Sequence, residues 1–178
     1  MSLVTVAEAK AHVKVTNSAV DAAVQIVLDG AEQWIEQHLG ISLNKAAVTD
    51  EYVDAVGFVL QPLEKLPIDS TQDVTVFDSY SNDYEYTKIV VRDNAIERKL
   101  GLLWPAGSAR YKVSYTGGYD VNTLPFGLKA CILELFARAW ERRSGEASTG
   151  GEISASWPML MDADVYMKLE DYRPAGLF

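Results

Sequence analysis

The sequence has almost no cysteine and little histidine. Its 178 residues include one cysteine, Cys131, and two histidines, His12 and His38. A single cysteine excludes an intrachain disulfide and a cysteine-based zinc site. The two histidines fall near the C-terminal ends of different predicted helices, where histidine complements the helix dipole. The sequence therefore predicts no metal and no cofactor, and Cys131 is expected to be a buried structural thiol on an apolar helix face.

The sequence also lacks the short motifs of common catalytic sites. HExxH, a phosphate-binding loop, GxSxG and GxGxxG are all missing. Acidic residues do cluster, as at Asp50, Glu51 and Asp54, but without the spacing of a calcium-binding loop. Such clusters are usually solvated surface. We expect no enzyme, and we keep a small ligand-binding or enzymatic domain using these three carboxylates as an alternative.

Long apolar runs and an excess of basic residues are missing too. No apolar stretch approaches the roughly 20 residues of a membrane-spanning helix. No charged-then-apolar leader opens the chain, which favours a cytoplasmic protein. The chain has 16 Lys and Arg against 25 Asp and Glu, a net charge of −9. This balance argues against a protein that wraps duplex DNA, because those proteins present a basic surface.

The clearest pattern that is present is a strand, a turn and a helix between Tyr111 and Gly145. Apolar and polar residues alternate through 111–116, which predicts a half-buried strand, and Gly117-Gly118 breaks it. Pro125 suits a first helical turn. Apolar residues then recur at helical spacing: Leu128, Cys131, Ile132, Leu135, Phe136 and Ala139. Gly145 is expected to end this helix. Three arginines gather near its C-terminal end: Arg138, Arg142 and Arg143.

Two helices are predicted before residue 46. Thr5 and Glu8 have the spacing of a capping box, which predicts a short helix through about His12. A second helix is expected from about Ser18 to Leu39, with Gly40 at its end. Its polar residues are expected mostly on the side away from the core: Gln25, Asp29, Glu32, Gln33 and Glu36.

Short β-type runs replace helical spacing from about residue 46 to 116. They occur at 52–53, 58–60, 74–77, 84–86, 89–91 and 111–113, separated by turn-forming residues. This pattern predicts a small antiparallel β subdomain of five to seven strands inserted between helices.

The last 30 residues or so combine polar and apolar segments. Residues 146–152 are small and polar, which predicts a mobile loop. Residues 153–161 are apolar enough to pack on the domain or on a partner. Asp162 or Asp164 could cap a last helix whose Val165, Tyr166 and Leu169 face inward. The candidate partner or oligomer interface comprises Arg138, Arg142, Arg143, Ile153, Trp157, Met159, Leu160, Tyr172, Arg173, Leu177 and Phe178. For the three arginines, solvation and pairing with a neighbouring subunit stay equally open.

Together these patterns predict an α+β fold with about four helices and an inserted antiparallel β subdomain. We expect a single domain over 1–178, made of N-terminal helices (1–45), a β subdomain (46–118), and a long helix, loop and C-terminal helix with a tail (119–178).

The order of several segments resembles the head–tail connector (adaptor, or head-completion) proteins of tailed bacteriophages. They are VTVAEAKAHVKV at 4–15, the acidic-apolar helix after it, and LQPLEKLPIDSTQDVTVFD at 60–78. Trp104-Pro105, VSYTGGYD at 113–120 and LPFGLKACILELFARAWERRSG at 124–145 resemble the most recognisable block of that family. The segment at 171–174 resembles its closing segment.

This resemblance implies a structural role in the virion neck, with assembly in the host bacterial cytoplasm. Such proteins form a ring, commonly of twelve copies, under the portal, extend the DNA channel and contact the next neck protein. The implied partners are other copies of the chain, the portal and the next neck or tail-completion protein. DNA would pass without sequence-specific binding. A tail-completion or stopper protein of the same neck is the alternative within this class.

Overall fold

A computed structural model describes residues 2–60, 64–81, 84–92, 95–149 and 163–173. The chain divides into two compact units. The first, called here the helical unit, comprises residues 1–40 and 121–178, and the second, the β unit, comprises residues 41–120. The predicted α+β fold is confirmed. Whether the whole chain acts as one connector domain stays a prediction.

The helical unit contains the four α-helices of the described residues. They are α1 (Val6–His12), α2 (Asp21–Leu39), α3 (Phe126–Thr149) and α4 (Ala163–Glu170), and a 3₁₀ turn at Ser18–Val20 precedes α2. The capping box at α1 is confirmed, since the Glu8 N–H donates to Thr5 Oγ1 at 3.2 Å and Thr5 N–H donates to Glu8 Oε2 at 3.0 Å. These bonds satisfy donors that a first helical turn leaves unpaired.

Helix α2 buries one apolar stripe against its neighbours. Val24, Leu28, Ala31, Ile35 and Leu39 are buried along it. Gly40 ends the helix in the left-handed conformation, with φ of 71°, as predicted. The expected position of Glu32 is wrong. Glu32 is only 5% exposed, and its carboxylate accepts hydrogen bonds from the backbone of the N-terminal segment.

Helix α3 is longer than predicted and continues through Gly145 to Thr149. The expected end at Gly145 is wrong, and so is the loop predicted at 146–149. A glycine costs a helix only about 1 kcal/mol relative to alanine, and no proline lies close behind to stop it. The predicted core face is confirmed at Leu128, Cys131, Ile132, Leu135 and Phe136, which are fully buried.

Helix α4 packs on α3 through Val165 and Leu169, both buried as predicted. The third residue predicted to face inward, Tyr166, is instead 45% exposed. Its ring and the His38 ring are in an edge-to-face arrangement, with 5.0 Å between centroids. A tyrosine can keep its polar end in water in this way.

The β unit contains eight strands in its described residues. They are β1 (Ala46–Val53), β2 (Ala55–Val56), β3 (Val59–Leu60), β4 (Thr75–Asp78), β5 (Tyr84–Glu85), β6 (Ile89–Arg92), β7 (Ala95–Arg98) and β8 (Tyr111–Gly117). They form two four-stranded antiparallel sheets, of order β1-β8-β4-β5 and β2-β3-β7-β6. The predicted antiparallel character is confirmed, but the expected count of five to seven strands is too low. Strands β2 and β7 have no counterpart among the predicted runs.

The double glycine at the end of β8, Gly117 and Gly118, is required for two separate reasons. Gly118 has φ of 94°, and a Cβ there would lie 2.7 Å from the Asn44 backbone. A Cβ on Gly117 would overlap the Lys65 carbonyl. The turn predicted from these residues is therefore fixed by backbone conformation at one glycine and by close approach at both.

Candidate subunit and partner interfaces

The three arginines predicted as interface residues share helix α3. Arg138 pairs with Glu134, one turn earlier, at 2.6 Å between Nη2 and Oε1. Arg142 and Arg143 are exposed farther along the helix. An i,i+4 pair of this kind contributes a few tenths of a kcal/mol. Exchange of the Glu134 partner for a carboxylate of another chain would therefore cost little, and the role of the three arginines at an interface stays a prediction.

Tyr172 and Arg173 are held against the helical unit just after α4. The Tyr172 N–H donates to the Leu169 carbonyl at 2.9 Å. Its hydroxyl lies so close to Gly127 that a Cβ there would overlap it. The Arg173 guanidinium donates to the His38 carbonyl at 3.3 Å and pairs with Glu170 at 3.2 Å. Both residues thus have contacts within the chain that sequence reasoning did not foresee.

His38, at the end of α2, contacts both Trp34 of its own helix and Glu170 of α4. Its ring stacks on Trp34, with 5.1 Å between centroids and 7° between planes. Its Nε2 lies 3.4 Å from a Glu170 carboxylate oxygen. This stack could have been predicted from the sequence, because Trp34 and His38 are four residues apart on one helix and such residues are neighbours. The cluster joins α2 to the end of α4. His38 also lies in the last turn of α2, as expected for a dipole-complementing histidine.

The other predicted interface residues lie outside the described residues. They are Ile153, Trp157, Met159, Leu160, Leu177 and Phe178. Their assignment stays a prediction.

An exposed apolar surface that sequence reasoning missed lies in the β unit. Phe58 is 56% exposed, Leu100 is 89%, Leu102 is 47% and Leu103 is 57%. These four residues are called the leucine surface below. The available signal was the run Leu100-Gly-Leu-Leu103, whose leucines fit neither the alternation of a strand nor the spacing of a helix.

The loop that contains these leucines, residues 99–110, is tied to a buried ion pair. Asp78 is 1% exposed, and its carboxylate accepts from Arg110 Nε at 2.9 Å and from Nη2 at 2.6 Å. The Tyr80 N–H also donates to it, at 3.0 Å. The two-pronged pairing with Arg110 holds the pKa of Asp78 below its usual value, against the opposing effect of burial.

Side chains from the strands also bind the backbone of this loop. The hydroxyls of Tyr111 and Tyr80 donate to the Pro105 and Ser108 carbonyls at 2.6 Å and 2.8 Å. The Trp104 indole stands edge-on to Tyr111, with centroids 5.0 Å apart, and donates to the Ile96 carbonyl at 3.3 Å. Burial raises the pKa of Tyr111 to about 12.

The carboxylates of the alternative enzymatic hypothesis serve the fold or face water. Asp50 is exposed, at a bulge in β1 where φ is 54°. Glu51 accepts from the Tyr115 hydroxyl at 2.8 Å. Asp54 accepts from the Ala109 N–H. Among the described residues, no group of three or more His, Cys, Asp or Glu side chains is placed to hold a metal ion.

Cys131 is fully buried, and burial raises the pKa of its thiol. A protonated, buried thiol is a poor nucleophile. The prediction of a structural cysteine agrees with this environment. Over the described ranges, no helix has both the length and the apolar character needed to cross a membrane.

Solved structures share this fold over nearly the whole chain. A chain in the neck of an empty gene transfer agent (GTA) particle, computed with C6 symmetry, is 18% identical with a TM-score of 0.62, covering 99% of this chain and 92% of that one. A chain in the virion of a native GTA particle is 21% identical with a TM-score of 0.58 and the same coverage. A chain in the neck of a native GTA particle, computed with C12 symmetry, is 19% identical with a TM-score of 0.52, covering 97% and 90%. No curated protein matches the sequence.

These structural similarities show that the chain has an α+β fold that also occurs in chains of gene transfer agent particles. The family follows from a match of the sequence. Residues 3–90, about half of the chain, match the model of the phage gp6-like head-tail connector proteins, and the chain belongs to that family. The resemblance found in the sequence is thereby confirmed. The protein is a structural protein that joins head to tail, which indicates a non-enzymatic role.

Proposed function

We propose that this protein forms a homo-oligomeric ring in the virion neck, beneath the portal, and extends the DNA channel toward the tail. The family match over residues 3–90 carries this proposal. The fold likeness to chains in necks that were computed with C6 and C12 symmetry supports a ring arrangement. Copies arranged around a closed axis use heterologous contacts, in which two different surfaces of the chain meet.

The charge of the chain suits a conduit for DNA. A net charge of −9 gives a surface on which negative potential predominates. Such a surface repels phosphate, so DNA passes without being retained. Sequence-specific binding would instead need a basic, groove-reading element. In this proposal the protein guides DNA but does not read it.

The C-terminal tail is proposed as the portal contact. Tyr172 and Arg173 are fixed to the helical unit, so the following residues leave from a defined point. Leu177 and Phe178 are apolar and are suited to burial against a partner. Trp157 and its apolar neighbours are proposed as a second portal or subunit contact.

The experiment is a native mass measurement by light scattering after size exclusion, at high micromolar concentration, with and without purified portal protein. We expect a discrete mass near twelve subunits, or assembly that depends on the portal. A chain that stays monomeric at every concentration and ignores the portal would contradict the proposal.

Truncation sharpens this test. Removing residues 174–178 should leave thermal unfolding unchanged and abolish attachment to the portal. Removing residues 172–178 also deletes the Tyr172 and Arg173 contacts with Gly127 and His38, and should lower stability. The shorter truncation is therefore the informative variant, and normal attachment by it would exclude the tail as a portal contact.

A further inference from the structure

Leu100 is exposed and conformationally strained at the same time. Its φ is 73°, in the left-handed region that bulky residues avoid, and its side chain is 89% exposed. Glycine or asparagine would suit this backbone better. Neither packing inside the chain nor backbone preference accounts for a leucine here. An outlier of this kind points to a role outside the folded monomer.

The other residues of the leucine surface lie at the same end of the sheet. The Trp104 backbone N–H donates to the Gly57 carbonyl at 3.0 Å, which ties the backbone next to Leu103 to the backbone next to Phe58. Arg98 Nη1 donates to the Leu103 carbonyl at 2.7 Å. Strand β7 ends at Arg98, and Leu100 follows two residues later. Four exposed apolar side chains are thus grouped on one loop and one adjacent hairpin.

The backbone beneath this surface is held in one shape. The loop is bound at Pro105, Ala106 and Ser108 by the Tyr111 and Tyr80 hydroxyls and by Arg110 Nη1. The Arg98 guanidinium also lies over the Tyr86 ring at 5.2 Å. A surface that is already ordered loses little conformational entropy on binding. The loop therefore has the properties of a pre-organised docking surface.

The rim of the surface is basic, although the chain as a whole is acidic. Lys88 and Lys99 are exposed and joined through their backbones at 2.9 Å. Arg98, whose guanidinium donates to the Leu103 carbonyl, is a third cation near these leucines, and Asp54 binds the far end of the loop at the Ala109 N–H. An occupant that places carboxylates around an apolar centre would complement this rim.

We propose that the leucine surface docks onto an acidic face of a second copy of this chain. This inference rests on the proposed function, in which copies of the chain form a ring. Charge complementarity selects this occupant, because Lys88, Lys99 and Arg98 lie near the leucines whereas the whole chain has a net charge of −9. Two leucine surfaces meeting across a two-fold axis would oppose like charges. The contact is therefore heterologous, the type that closes a ring.

Two substitutions at one position test this contact without disturbing the fold. Leu100→Gly suits φ of 73° and removes the side chain, whereas Leu100→Met keeps an apolar side chain. Both variants should unfold at or above the wild-type temperature. Leu100→Met should assemble like the wild type, and Leu100→Gly should need about a tenfold or greater concentration to assemble, as expected for losing one buried leucine. Assembly of Leu100→Gly at wild-type concentrations would overturn the proposal.

Cross-linking identifies the occupant directly. Because Cys131 is buried, Leu100→Cys offers one accessible thiol for a benzophenone label. Rings are assembled from a mixture of ¹⁴N and ¹⁵N protein. Cross-links that join one isotope to the other, from residue 100 to an acidic segment, are expected. Gln72→Cys, which places the label at another exposed position, is the matched control. Cross-links only to portal protein, or none within assembled rings, would overturn the docking proposal and leave the ring intact. A wild-type chain that never forms rings would remove both proposals.

Discussion

Two ion pairs, one in the helical unit and one in the β unit, differ in their exposure to water. In the helical unit, Glu8 of α1 pairs with Lys129 of α3 at the surface, where the Glu8 side chain is 39% exposed. In the β unit, the Asp78–Arg110 pair is withdrawn from water, and the Asp78 side chain is 1% exposed. Both units also expose large apolar side chains, such as Phe126 in the helical unit and Leu100 in the β unit, and Leu100 belongs to the loop that this buried pair anchors.

The difference in burial predicts how much each ion pair contributes to stability. A surface pair adds little to stability, because water and salt screen it. A buried pair is sensitive to loss of one partner, because the other is left without compensation. Both units bury an apolar core. In the β unit, the buried Asp78–Arg110 pair also anchors the loop that carries the surface proposed to bind another copy.

The largest expected effect is at the buried pair. Asp78→Ala should lower the free energy of unfolding by about 3 kcal/mol, because Arg110 loses its carboxylate and the Tyr80 N–H loses its acceptor. Urea unfolding measures the change. As a control, Asp164→Ala removes an exposed i,i+4 pair with Lys168 and should barely move the midpoint. Equal midpoints for the two variants would erase the contrast between the units.

A smaller effect is expected at Glu32, the buried carboxylate of the helical unit. Its Oε1 accepts from the Leu3 and Val4 N–H groups at 2.9 Å and 3.0 Å and from the Ser2 hydroxyl at 2.8 Å. Glu32→Ala leaves these donors unpaired and should cost about 2 kcal/mol in urea unfolding. Glu32→Gln keeps an acceptor oxygen, and burial already raises the pKa of Glu32, so its cost should be clearly smaller. A glutamine variant as unstable as the alanine variant would contradict this hydrogen-bonding role.

The smallest effect is the pH dependence of the surface pair. Hydrogen bonding to Lys129 and to Thr5 lowers the pKa of Glu8 to about 2 from 4.5. A carboxylate with a lowered folded-state pKa stabilises the fold above about 4.5 and loses that contribution as the pH falls toward 2. Lys129→Met should thus cost at most about 1 kcal/mol at pH 7, given solvent screening, and less at pH 3. Urea midpoints at both pH values measure the difference, and a cost that grows on acidification would refute the assignment.

The sequence predicted the helical unit better than the β unit for a physical reason. Helix α1 has a capping box and α2 has a terminal glycine, and both have apolar residues at helical spacing, so local signals agree. Strand β7 contains Glu97 and Arg98, which conceal its alternation. Glu32 was misplaced because a buried acceptor for distant backbone donors has no local pattern.

The candidate interface was predicted only in part. Arg142 and Arg143 are exposed on α3, whereas Tyr172 and Arg173 turn out to have partners inside the helical unit. The leucine surface was missed because it is recognised by backbone conformation and side-chain exposure, which the sequence does not show. Leu100 is informative because its backbone is left-handed and its side chain is exposed. Neither property follows from residue order.

Electron cryomicroscopy of the protein bound to purified portal tests the central claim most directly. The connector assignment predicts a closed ring of this chain on one face of the portal, coaxial with its channel. The docking proposal further predicts that Leu100 of each copy meets an acidic face of the next. Portal particles without bound connector, in samples where both proteins are folded and the connector stays monomeric, would contradict the account.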